Sequence, residues 1–173
     1  MTVPTRRGGA THALLGHGRR RGWELPGGKA DGAESLESAA VRELAEETSL
    51  IADPGDLQVL AVLLDATRGI PRLTAAVHIP AYTGIPQVTE PQLITEWVWQ
   101  DPERLPDPLF TPSAHVLAAW WPGLLTGLPP VHTYRMTPAA GIVASTRNEE
   151  ETWPRAAASH SADRNVCRCG ALG

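Results

Sequence analysis

Residues 28–50 read GKADGAESLESAAVRELAEETSL, and the fold of the chain turns on this stretch. Between residues 35 and 47 the apolar positions Leu36, Ala39, Ala40, Leu44 and Ala45 recur at helical spacing, with Val41 the single β-branched residue, a pattern that predicts an amphipathic helix. Ser35 stands where an N-cap belongs, although the residue three positions on is Ser38 and not the Glu or Gln of a capping box. The same spacing predicts that Leu36, Ala40 and Leu44 face a sheet. Glu43, Glu46 and Glu47 stand at i, i+3 and i+4, which puts three carboxylates on one helix face. Like charges there repel unless a cation sits among them, and hard oxygen ligands suit Mg²⁺ or Mn²⁺. The preceding turn Pro26-Gly27-Gly28 brings a bare backbone to the same point, so the main-chain carbonyl of Gly27 is a further candidate ligand. An isolated E-x-x-E-E is usually a solvated acidic face; here Gly28, Glu34 and Arg42 stand in register with it.

Taken whole, the stretch is Gly28, five residues, Glu34, seven residues, then Arg42-Glu43-Leu44-Ala45-Glu46-Glu47-Thr48-Ser49-Leu50. It closely resembles the Nudix box, G-x5-E-x7-R-E-U-x-E-E-x-G-U with U aliphatic, and departs from it at one fixed position, where Ser49 stands in place of Gly. The resemblance is strongest over residues 23–50 and extends more loosely to about residue 136. It implies an α/β fold, the Nudix α/β/α sandwich with a mixed β-sheet. It also implies Mg²⁺-dependent hydrolysis of a diphosphate linkage in a small nucleotide, most simply a (d)NTP cut to a nucleoside monophosphate and pyrophosphate. In that setting Glu43, Glu46 and Glu47 are metal ligands and Glu43 or Glu46 takes the proton of the attacking water. Glu34 and Arg42 form an ion pair that, with Gly28, holds the loop against the helix. Ser49 would have to take the left-handed conformation in which the family places Gly, at a cost of roughly 1 kcal/mol.

Outside the box, Glu90 lies in the loop Thr89-Glu90-Pro91, where MutT-like relatives can carry a further metal-linked Glu. Arg19, Arg20 and Arg21 precede the Gly-rich turn, and Arg20 and Arg21 are candidates for binding substrate phosphate; the alternative is an exposed basic turn. Trp97 alternates with polar neighbours and is a candidate to stack on a base, against the commoner reading of a core Trp. His78 and His115 are read as core or helix-surface residues without a catalytic role. The short signatures that mark nucleotide-sugar, dinucleoside-polyphosphate, NADH and coenzyme A hydrolases are missing, which leaves a nucleoside-triphosphate pyrophosphohydrolase by exclusion. Two other readings stay open: a ligand-sensing Nudix domain without turnover, and a hydrolase of another conjugate such as a nucleotide sugar.

The rest of the chain frames this site. Its 173 residues, 42% hydrophobic, suit one domain, read over residues 1–138, with residues 139–173 expected to form a tail without regular structure. The chain is expected to begin about one strand later than a typical relative, with a short N-terminal strand. A net charge of −4 argues against a polymeric nucleic-acid partner. No apolar run approaches a membrane span or a signal peptide, so a cytoplasmic monomer or homodimer is expected. Cys167 and Cys169 are the only cysteines, which excludes a disulfide framework and leaves an incomplete zinc site. Strands are predicted at 12–15, 23–25 and 96–99, a hairpin at 57–64 and 73–79 around Gly69 and Pro71, and a second helix at 113–121, between Pro112 and Pro122.

Overall fold

Adjacent residues Leu14 and Leu15 are both fully buried, and they reach opposite sides of one sheet. Leu15 packs with Val3, Ala13, Leu63, Ala76, Val116 and Leu117, whereas Leu14 packs with Leu44, Leu50 and Ile79. Successive side chains of a strand point to opposite faces, so the two apolar clusters are the two sides of a sandwich. The computed structural model describes residues 1–6, 12–66, 69–137 and 141–144.

The sheet is built from β1 (Thr2–Arg6), β2 (His12–Gly18), β3 (Gly22–Glu24), β4 (Gln58–Asp65), β5 (Arg72–Ile79), β6 (Ile94–Gln100), β7 (His132–Thr137) and β8 (Gly141–Ala144). Their order is β3-β2-β1-β5-β4-β7-β8, with β6 also paired to β2. β1 runs parallel to β5, while β1–β2, β4–β5, β4–β7 and β2–β6 are antiparallel. The sheet is therefore mixed. Helix α1 (Leu36–Thr48) supplies Leu44 to one side, and α2 (Thr111–Trp120) supplies Val116, Leu117 and Ala119 to the other. This is the expected α/β/α arrangement.

Three sequence expectations are corrected. Leu36 does not face the sheet: it is the first residue of α1 and is 39% exposed, and the buried side is Ala39, Ala40, Leu44 and Thr48. The second helix starts two residues earlier, with Pro112 inside its first turn, a position where the missing N–H has no intrahelical partner to lose. The strand at residue 12 continues through Gly16-His17-Gly18 because this segment pairs with both β3 and β6.

β1 and β7 were not anticipated, and β8 falls within the stretch expected to lack structure, where it pairs with β7. Residues 145–173, including Cys167 and Cys169, lie outside the described residues. His115 is buried on α2 with Nε2 2.9 Å from the Pro129 carbonyl, and His78 stacks on Trp120. Both are structural, as read from the sequence. Among the described residues no helix is long and apolar enough to cross a membrane.

Candidate active site

Helix α1 is fastened at both ends. The Ser35 hydroxyl accepts a hydrogen bond from the Ser38 amide at 3.0 Å, satisfying one of the free donors of the first turn. At the other end Ser49 sits in the left-handed region at φ 61° and donates its N–H to the Ala45 carbonyl at 2.9 Å. The helix thus ends as the sequence suggested, with Ser in a conformation that glycine adopts more cheaply.

Arg42 is the organising cation. Its Nη2 lies 2.7 Å from Glu34 Oε1 and its Nε donates to Glu34 Oε2 at 3.3 Å, a two-pronged contact that ties the loop to the helix. The same guanidinium donates to Glu43 Oε1 at 2.9 Å, to Glu46 Oε2 at 3.0 Å and to the Lys29 carbonyl at 2.9 Å. Hydrogen bonding from Arg42, helped by the Asp31 amide, holds the Glu34 carboxyl below its ordinary pKa, and Glu34 and Glu43 hold Arg42 above its own.

Glu43 points back over the loop. A Cβ on Gly28 would run into the Glu43 carboxylate, so the close approach of loop and helix requires Gly at this position. Glu47 sits deeper, with Oε2 accepting from the Gly27 amide at 2.9 Å. Burial pushes its pKa up to about 7; the negative charges of Glu43, Glu90 and Glu24 add to that, and the Gly27 hydrogen bond opposes it. Glu46 is the most open of the three, its side chain 58% exposed and paired with the same Arg42 nitrogen as Glu43. Among the described residues no three carboxylate or imidazole groups stand in a metal-holding arrangement; Arg42 takes up Glu43 and Glu46, and the Gly27 amide takes up Glu47.

Neighbouring elements hold this cluster in place. The Thr2 amide and hydroxyl both donate to the Pro26 carbonyl, at 2.8 and 3.1 Å, and the buried Ser113 hydroxyl accepts from the Leu25 amide at 3.0 Å. Trp97 covers Gly16, where a Cβ would lie 2.7 Å from its ring, and its indole N–H donates to the Glu47 carbonyl at 3.1 Å. Its N–H and one part of its ring are therefore engaged with the protein.

Glu24 was missed from sequence. It is half-buried on β3, its carboxyl is raised by burial and lowered by Arg21, and its charge reaches Glu47. Its signal was positional: it stands three residues before Gly27 on the strand that feeds the turn. Of the three arginines, Arg19 bonds through Nε to the Pro91 carbonyl at 2.8 Å, next to Glu90. Arg20 and Arg21 instead line a cleft with Arg72, Asp65 and Phe110.

A Gly-rich turn and an acidic helix face locked by an internal Arg–Glu pair thus meet on a mixed sheet between two helices. Residues 2–120 match the family model described as the NUDIX domain, and the chain belongs to this family and is a Nudix hydrolase. It is 27% identical to the MutT Nudix hydrolase from Burkholderia pseudomallei, over 68% of this chain and 94% of that one, with a TM-score of 0.59. It is 29% identical to the E. coli ORF135 protein, over 69% of this chain and 84% of that one, with a TM-score of 0.56. The Nudix domain of Shewanella oneidensis NrtR, whose structure holds ADP-ribose, shares the fold at 19% identity and a TM-score of 0.56, over 69% of this chain and 82% of that one.

Proposed function

We propose that this hydrolase cuts the diphosphate linkage of a small nucleotide with the help of Mg²⁺, a (d)NTP giving a nucleoside monophosphate and pyrophosphate being the leading case. The observation that carries this reading is Glu47, a carboxylate drawn from water beside Glu43, Glu24 and Glu90, offset by the Met1 ammonium, which is itself buried and has its pKa lowered by that burial. Several buried carboxylates set against one desolvated amine are costly, and an all-oxygen, collectively anionic donor set matches a hard divalent cation. Glu43, Glu46 and Glu47, the Gly27 carbonyl and Glu90 are the residues that would hold it, with Mn²⁺ as a substitute. When bound, such an ion acidifies the attacking water and neutralises phosphate oxygens.

The remaining work falls to the chain. Glu43, whose carboxylate lies over Gly28 and is hydrogen-bonded to Arg42, would take the proton of the attacking water, with Glu46 as its alternate. Glu34 and Arg42 fix the loop so that the backbone at Gly27 and Gly28 can approach the phosphates. The test is a panel of nucleoside triphosphates, nucleotide sugars and ADP-ribose incubated with purified protein and Mg²⁺, reading phosphate released after added pyrophosphatase or phosphatase. Hydrolysis that EDTA abolishes supports the reading; binding without turnover across the panel would favour a ligand sensor.

A further inference from the structure

Beyond the carboxylate cluster, the described residues enclose a cleft of about 360 Å³, within the range of small-molecule sites. Its chemistry is cationic: Arg20, Arg21 and Arg72 line it, with Asp65 as the one acidic group among the described lining residues. Arg72 comes from β5, where it is the Cα partner of Asp65 across the hairpin, so the cluster is assembled by the fold and is more than a basic turn. Arg21 is further held by its guanidinium lying over the Phe110 ring, 5.1 Å from the centroid, which pre-orients a planar donor fork.

A short stretch of chain links the cleft wall to the site above. Leu109, in that wall, pairs with Trp23, and Trp23 precedes Gly27 by four residues, a chain reach of at most roughly 14 Å. A nucleotide whose diphosphate sits at Gly27 thus has its far part within reach of the three arginines. Three exposed guanidinium groups against one carboxylate among the described lining residues leave the cleft net positive, and a phosphomonoester accepts paired hydrogen bonds from Arg forks in a way that a neutral sugar or base does not.

We propose, resting on the hydrolase reading above, that the preferred substrate carries a second phosphate group remote from the linkage that is cut, and that Arg21, Arg72 and Arg20 bind it. Two sources share this chemistry, a phosphorylated ribose and a longer polyphosphate, and they are separated by matched pairs: ADP-ribose against its 2′-phosphate, and ATP against adenosine 5′-tetraphosphate. For each pair, kcat/KM is measured with Mg²⁺, and binding is measured by calorimetry in EDTA on the full chain. The extra phosphate should improve both by about tenfold in at least one pair. The ratio should fall towards one in Arg72→Ala and in Arg21→Ala, and Arg72→Lys should keep part of it. Equal handling within both pairs, or a preference that survives both alanine variants, overturns the proposal. If nothing is cut yet the added phosphate still tightens binding through Arg72, the hydrolase reading fails while the cleft keeps its assignment. If both members of each pair are cut equally, the cleft assignment fails and the hydrolase stands.

Discussion

Glu47 shows how a single buried carboxylate crowded by like charges can work against folding even with the Met1 ammonium near it. Its pKa rises from 4.5 to about 7, chiefly through burial. A raised carboxyl pKa means that the folded state favours the protonated form, so this contribution is fully present below about pH 4.5 and is lost as the pH rises through 7. Glu47→Gln mimics the protonated form and keeps an acceptor for the Gly27 amide. In EDTA the variant should melt close to the parent at pH 5 and above it at pH 8, while Mg²⁺-dependent activity falls by orders of magnitude; equal melting differences at the two pH values would contradict the burial argument. Ser49 poses a simpler question. Because it holds φ 61° and its N–H bond is made by the backbone, Ser49→Gly should raise the melting temperature modestly, for a gain of roughly 1 kcal/mol, and leave turnover unchanged. A drop would reveal a role for the hydroxyl.

At the scale of elements, α1 was legible because its pattern is local: helical spacing, a Ser cap and an Arg–Glu pair eight residues apart all lie within 28–50. The β4–β5 hairpin and β6 were legible for the same reason, as apolar runs bounded by turn residues. β1 and β7 were not, since TVPTR is short and carries a Pro, and in HTYRMT the alternating Tyr134 is on the exposed side; both become strands through partners distant in sequence. Glu24 and the Arg72 wall of the cleft were hidden likewise, because each gains its meaning from a neighbour on another element. Trp97 is the instructive case: alternation correctly placed it on a strand, but only packing shows that its N–H grips the last turn of α1. Trp97→Phe keeps a ring over Gly16 and loses that bond, so a destabilisation of about 1 kcal/mol is expected. Activity should fall with it, because the Glu47 backbone is no longer held. Gly16→Ala, by contrast, meets the ring at 2.7 Å and should destabilise through overpacking.

Across the whole molecule, the two sides of the sheet divide the labour. The larger cluster around Leu15, Leu63 and Leu117 closes the α2 side, and the smaller one around Leu14, Leu44 and Leu50 seats the helix that carries the carboxylates. Links between them run through the loop: Ser113 on α2 holds Leu25, and Thr2 on β1 holds Pro26, just ahead of the glycines. A cation at Gly27 and Glu47 would therefore be bound by a frame to which both sides contribute, and its binding should stabilise the domain as a unit. Mass action sets the size of the effect, about 2.7 kcal/mol when the ion is at a hundred times its dissociation constant. Thermal melts over a Mg²⁺ series should show one cooperative transition moving upward with concentration. In Glu47→Gln the shift should largely vanish, whereas in Glu34→Gln, which leaves the proposed ligands in place but frees Arg42, it should persist from a lower starting temperature. Equal shifts in all three proteins would place the ion elsewhere and remove the metal site from α1.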